Sequence, residues 1–206
     1  MVQLNRIIEQ LKKMRNLIRI TVVGDGAVGK TTLVQAILRI ALNCAENPPI
    51  TNFMNTKKIN RTPFMEIESW NYKDLLIQCY DLAGQRSPGA HPLDILQNQV
   101  ISSIDIFIFV FSVDRYESFE NLNNWMTLMH LDNSYVNKNK TGLILVGNKI
   151  DLGSNVSKDL IQSIVGDNKY FHSYVETSAT KGIGIDELLD GIANIGKNIL
   201  NTYMKG

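Results

Sequence analysis

The chain has 206 residues, with 21 Lys and Arg against 20 Asp and Glu, for a formal net charge of +1. This length suits one domain with a sizeable core and room for an appendage, and the near balance of charge excludes a bulk attraction to nucleic acid or anionic membrane. Cys44 and Cys79 form no disulfide or metal-ligand spacing, which suits a reducing compartment, and both are read as core residues.

Residues 1–16 carry Leu4, Ile7, Ile8, Leu11 and Met14 at helical spacing, with Arg6, Lys12, Lys13 and Arg15 among the remainder. The pattern predicts an amphipathic helix. It is expected to pack on the flank of the domain formed by residues 17–206; the alternatives are a membrane surface or a partner protein. No signal-peptide pattern opens the chain, no prenylatable cysteine closes it, and Val2 stands where myristoylation needs Gly. A cytoplasmic location without a lipid anchor is therefore the expectation.

Ile18 to Val23 is β-branched and mostly apolar and reads as a strand, and Thr32 to Leu38 begins a helix that runs to about Leu42. Between them lies Gly24-Asp25-Gly26-Ala27-Val28-Gly29-Lys30-Thr31, which matches the phosphate-loop pattern G-x-x-x-x-G-K-[ST] at every fixed position. Glycines at 24, 26 and 29 let backbone N–H groups converge on phosphate oxygens at a helix N-terminus that favours anions. Lys30 adds charge at the outer phosphates, and the Thr31 hydroxyl is suited to ligate Mg2+.

Residues 43–62 lose all periodicity and form a long connection. Phe64 to Trp70 and Leu75 to Tyr80 follow as an antiparallel hairpin around the turn Asn71 to Asp74, the second strand ending at Asp81. After an irregular segment comes a helix over Leu93 to Ser103, then the apolar run Ile106 to Val113, a strand covered on both faces. A helix over Ser118 to Met129, a polar loop, a buried strand over Gly142 to Val146, a helix near Ser157 to Val165, a short strand Tyr174 to Thr177 and a last helix from Asp186 to Tyr203 complete the chain. Alternation of strands and helices predicts an α/β fold: a doubly wound, mostly parallel six-stranded sheet with one antiparallel edge strand, ligands binding beyond the carboxyl ends of its strands.

With Asp81-x-x-Gly84-Gln85, Asn148-Lys149-x-Asp151 and Ser178-Ala179 added to the glycine loop, roughly residues 17–204 resemble a small GTPase of the Ras superfamily. The loop is closest to the Rho-like form, and Phe107 to Phe119 is similar to the family pattern. The resemblance implies GTP and GDP as substrate and product, Mg2+ as cofactor, slow hydrolysis, and exchange factors, activating proteins and effectors as partners. It further implies that Asp81 helps hold Mg2+, that the Gly84 N–H meets the γ-phosphate, and that Gln85 orients the attacking water while Lys30 neutralises charge. Asp151 is the guanine selector, because a carboxylate accepts from guanine N1–H and the 2-amino group, which adenine does not offer. Asn148 lies near the other edge of the base or tethers the phosphate loop; the Lys149 stem lies along the ring, and the backbone N–H of Ala179 donates to the guanine carbonyl, with Ser178 and Thr180 beside it.

The pattern departs from the family in the first switch, whose loop is longer than usual. Thr62, 19 residues ahead of Asp81, is favoured as the threonine that joins Mg2+ and the γ-phosphate, with Thr51 second and Thr56 available. Pro63 is unusual beside it, and Arg61 is read as a solvated residue rather than an internal arginine finger. Leu82, Arg86 and Thr180 also depart from the common residues and leave the subfamily open. The rival function is a scaffold that binds guanine nucleotide without productive turnover; an ATPase is opposed by Asp151.

Overall fold

A computed structural model describes residues 16–43, 65–82, 101–129, 131, 141–165 and 171–205. Its six strands are β1 (Leu17–Val23), β2 (Met65–Tyr72), β3 (Leu75–Leu82), β4 (Ile106–Ser112), β5 (Gly142–Asn148) and β6 (Ser173–Thr177), in the order β2-β3-β1-β4-β5-β6. Only β2 runs antiparallel to its neighbour, β3; the pairs β1–β3, β1–β4, β4–β5 and β5–β6 are parallel. The expected doubly wound sheet with one antiparallel edge strand is thus observed. The described helices are α1 (Lys30–Asn43), α2 (Tyr116–Glu120), α3 (Leu122–Leu128), α4 (Lys158–Val165) and α5 (Ile185–Lys205).

Strand alternation divides the core. From β1 and β4, Ile18, Ile20, Val22, Ile106, Ile108 and Val110 face one layer, packed with Leu33 and Ile37 of α1 and Leu189 and Ile192 of α5. Phe107, Phe109 and Phe111 face the opposite layer with Leu143, Leu145 and Trp125. β4 is buried along its whole length, as its continuous apolar run requires. Cys79 is a free, buried core cysteine, as expected; Cys44 lies outside the described residues.

Several boundaries differ from the sequence reading for local reasons. The hairpin turn is only Lys73-Asp74, both with positive φ (47° and 68°), so Asn71 and Tyr72 extend β2 and pair with Leu76 and Leu75. A primed two-residue turn matches strand twist, but it usually announces itself with glycine, which this turn lacks. β3 ends at Leu82, just beyond the expected end at Asp81, and Leu82 pairs with Met65 in the sheet. The expected single helix over Ser118 to Met129 begins at Tyr116 and breaks at Asn121, whose side chain is drawn toward the glycine loop. Of the helix expected over Leu93 to Ser103, the described part, Ile101–Ser103, is a 3-10 turn. The N-terminal helix over 1–16, apart from Asn16, and the connection beyond residue 43 lie outside the described residues.

The hairpin is fastened to the last helix. Tyr72 OH donates to Asp190 Oδ1 at 2.6 Å, and Lys73 Nζ lies 2.7 Å from the same oxygen. No described helix is long and apolar enough to cross a membrane.

Candidate functional site

The glycine loop connects β1 to α1 at the carboxyl end of the sheet. Gly24 has φ 146° and comes so close to β4 that a Cβ there would lie 2.1 Å from the Val110 carbonyl oxygen. Gly29, at φ 94°, is equally constrained, since a Cβ would stand 2.5 Å from Asn148 Nδ2. The left-handed position between them is taken by Ala27, φ 62°. That conformation costs a non-glycine residue about 1 kcal/mol, so neighbouring contacts must hold it. Val28 is fully buried, and Thr31 and Thr32 stand in the first turn of α1, which carries no acidic residue. The anion-attracting end of that helix is therefore left uncompensated by its own side chains.

Lys30 folds back over the loop: its Nζ donates to the Gly24 carbonyl at 2.9 Å and the Asp25 carbonyl at 2.8 Å. Burial pushes the Lys30 ammonium down to about 8, against the pull of the Asp81 and Asp25 carboxylates. Thr31 Oγ1 donates to Asp81 Oδ2 at 2.6 Å, which brings two hard oxygen donors together from α1 and β3. Mg2+ takes few protein oxygens and draws the rest of its shell from phosphates and water, so this donor pair fits it. No group of three or more His, Cys, Asp or Glu able to hold a metal ion occurs among the described residues, and a nucleotide-type Mg2+ site needs none.

The opposite side of the site is built from β5 and the segment after β6. Asn148 is the last residue of β5 and only 1% exposed. Its Nδ2 donates to the Val28 carbonyl at 2.9 Å, while its Oδ1 accepts from Thr177 Oγ1 at 3.0 Å and from the Ala179 N–H at 3.2 Å. Of the alternatives for Asn148, the structure has the tether to the phosphate loop. The Ala179 N–H, the group expected to meet the guanine carbonyl, is held beside the loop by this 3.2 Å contact with Asn148.

Lys149 adopts φ 66°, ψ 36°, a left-handed step that carries the chain from β5 into the short turn Ile150–Leu152. Asp151, in that turn, is exposed. Ser178 Oγ donates to its Oδ1 at 2.5 Å, and this hydrogen bond above all holds the carboxyl below its ordinary range. Thr180 Oγ1 lies 3.4 Å from Ser178 Oγ. Gly84, Gln85, Thr62, Thr51, Thr56 and Arg61 lie outside the described residues.

Three residues that the motifs did not flag also reach the glycine loop. Asp25 accepts from Asn121 Nδ2 at 2.9 Å on Oδ2 and from Trp125 Nε1 at 2.8 Å on Oδ1. Arg115 Nη2 donates to the Gly26 carbonyl at 2.8 Å. The available signal was the i, i+4 spacing of Asn121 and Trp125, which puts two side-chain N–H donors on one helical face.

A family model described as the Ras family matches residues 19–198, almost the whole described sheet and every part of this site. The chain belongs to the Ras family. Relatives of this Ras-family chain include the Ras-like protein rasU of Dictyostelium discoideum, 27% identical over 179 residues that cover 86% of this chain and 75% of that protein. The Ras-related protein Rab7 of Pisum sativum is 25% identical, covering 88% of this chain and 82% of the relative. The Ras-like GTP-binding protein RHO1 of Entamoeba histolytica is 27% identical, covering 88% and 77%. Ras-like, Rab and Rho names thus appear at nearly equal identity, so the similarity assigns this small GTP-binding protein to the family and to no subfamily.

Proposed function

We propose that the chain is a GTP-binding switch that hydrolyses GTP to GDP and phosphate with Mg2+. The observation that carries this reading is the Asn148 bridge, which fixes the glycine loop and the Ser178–Asp151 pair as one unit. A phosphate cradle and an outward-facing carboxylate become two ends of one ligand site. Asp151 accepts the paired donors of guanine, and the Ser178 hydroxyl, bonded to one of its oxygens, holds that carboxylate in place.

Along the loop, backbone N–H groups at Gly24 to Thr31 bind phosphate oxygens, and Lys30 holds charge at the outer phosphates. Thr31 and Asp81 would hold Mg2+, which when bound supplies neutralisation of the β- and γ-oxygens. Gln85 orients the attacking water and the Gly84 N–H senses the γ-phosphate, by resemblance to the family motif, and Thr62 is the candidate for the first switch. Exchange, activating and effector proteins are the partners this reading implies; any membrane association would run through the N-terminal helix over residues 1–16 or through a partner.

The test is the nucleotide content of purified protein, followed by single-turnover phosphate release from bound GTP with Mg2+. Copurified GDP or GTP and slow, Mg2+-dependent release are expected. Tight GTP binding with no release over hours would leave a binding module; preference for ATP would overturn the guanine assignment.

A further inference from the structure

We propose that Arg115 is a positioning residue of the phosphate loop and a second cation of the triphosphate site, selecting triphosphate over diphosphate. The inference rests on the guanine-nucleotide reading above. Arg115 precedes α2 in extended conformation, φ −133°, ψ 99°, and reaches the loop across 89 residues of sequence to donate from Nη2 to the Gly26 carbonyl.

That contact has a geometric consequence. In a trans peptide plane the carbonyl and the following N–H point in opposite directions, so a Gly26 carbonyl held toward Arg115 turns the Ala27 N–H away from it. The same hydrogen bond steadies the peptide that leads into the left-handed Ala27. Arg115 and Asn148 thereby fasten the carbonyls of Gly26 and Val28, which flank Ala27 on either side.

The electrostatics point to an anion of high charge. Asp25, beside Gly26, has one carboxylate oxygen engaged by Asn121 and the other by Trp125, and among the described residues no carboxylate forms an ion pair with Arg115. Arg115 donates to the Gly26 carbonyl and Lys30 to the Gly24 and Asp25 carbonyls, so two cations are fastened to three successive carbonyls of one loop. Two cations held on the carbonyls of one loop repel each other, and an anion bound by the N–H groups of that loop offsets the repulsion more with each added phosphate charge. A planar guanidinium also has donors to spare beyond the one given to Gly26.

The experiment compares wild type with Arg115→Ala, Arg115→Gln and Arg115→Lys by stopped-flow release of fluorescent GDP and a non-hydrolysable fluorescent GTP analogue, with single-turnover GTP hydrolysis alongside. For the Ala and Gln variants, release of the triphosphate should quicken about tenfold, as for loss of a charge-assisted contact, with a change of no more than about threefold for the diphosphate. The Lys variant should lie between, and the excess for triphosphate should shrink in high salt. Equal losses for both nucleotides would reduce Arg115 to a structural clamp and overturn the charge role; unchanged release of both would overturn the inference altogether. A wild-type chain that binds neither nucleotide would sink the function proposed above, and this inference with it. Thermal melting of the GDP-loaded variants checks folding, and a melting loss shared by Ala, Gln and Lys variants in step with their release rates counts against the charge role.

Discussion

Asn148 Nδ2 and the Val28 carbonyl oxygen meet at 2.9 Å across 120 residues of sequence, inside a site where neither is exposed to solvent. The same side chain takes the Thr177 hydroxyl and the Ala179 N–H on its oxygen. One amide therefore connects the loop after β1, the end of β5 and the segment after β6. Its position explains why the glycine loop and the segment after β6 keep their spacing.

Asn148→Ala removes three hydrogen bonds from a buried place and leaves their partners unsatisfied. A destabilisation of about 2–3 kcal/mol is expected in urea denaturation, together with faster nucleotide release. Asn148→Asp keeps an acceptor for Thr177 but sets a carboxylate oxygen against the Val28 carbonyl, so it should be no less damaging than Ala. A variant whose denaturation midpoint equals that of wild type would show that the bridge does not bind the halves together.

Ser178 and Asp151 carry a separate prediction about base choice. Ser178→Ala removes the hydroxyl that does most to hold the Asp151 carboxyl down. With a depressed value, the ionised carboxylate persists until pH falls below the usual 3.8, and without Ser178 its protonation should begin at higher pH. Titration of the Asp151 carboxyl by NMR checks the direction. In binding assays Asp151→Ala should lose discrimination between GTP and ATP, whereas Ser178→Ala should keep it with roughly tenfold weaker GTP affinity. Retained discrimination in Asp151→Ala would place guanine recognition elsewhere.

Asp105, ahead of β4, accepts from the Arg19 N–H at 2.8 Å, yet burial pushes its carboxyl above the ordinary value of 3.8. A raised carboxylate contributes stability that is complete below the unfolded-state value and lost as pH rises through the folded-state value. At pH 7 the ion is therefore a burden, while an amide oxygen in its place still accepts from Arg19. Asp105→Asn should be at least as stable as wild type at pH 7, with its advantage shrinking as pH falls toward and below 3.8. Thermal melts at several pH values measure the trend, and an advantage that grows on acidification would contradict it.

The residues that chemistry constrains were legible in the sequence. Gly24 and Gly29 are required by close approach, Lys30 and Thr31 stand at fixed positions of the phosphate-loop pattern, and the buried strands announce themselves by β-branched and aromatic runs such as Ile106 to Ser112. What stayed hidden depends on three-dimensional proximity or on atypical local chemistry. Arg115 touches Gly26 only because β4 lies beside β1, and no spacing rule links positions 89 apart. The Lys73-Asp74 turn takes two left-handed residues without a glycine, so residue type pointed to a longer turn. The contact of Asn148 with the Ala179 N–H likewise joins positions 31 apart, which the motif spacing does not reveal.

Two glycines separate backbone strain from steric exclusion. Gly182, in the segment after β6, has φ 71° and nothing within 4 Å of the place a Cβ would take, whereas Gly24 combines φ 146° with the Val110 carbonyl only 2.1 Å away. Gly182→Ala should therefore cost only the left-handed penalty, about 1–2 kcal/mol. Gly24→Ala must in addition push the loop off β4, breaking the approach that sets the phosphate cradle. A loss above about 3 kcal/mol is expected there, or failure to accumulate folded protein, since both strain and a backbone clash act together. Parallel urea titrations of the two variants decide the matter. Equal, small losses would mean that the loop can move away from Val110 at little cost, and that its position is set by the Lys30, Asn148 and Arg115 hydrogen bonds rather than by contact with β4.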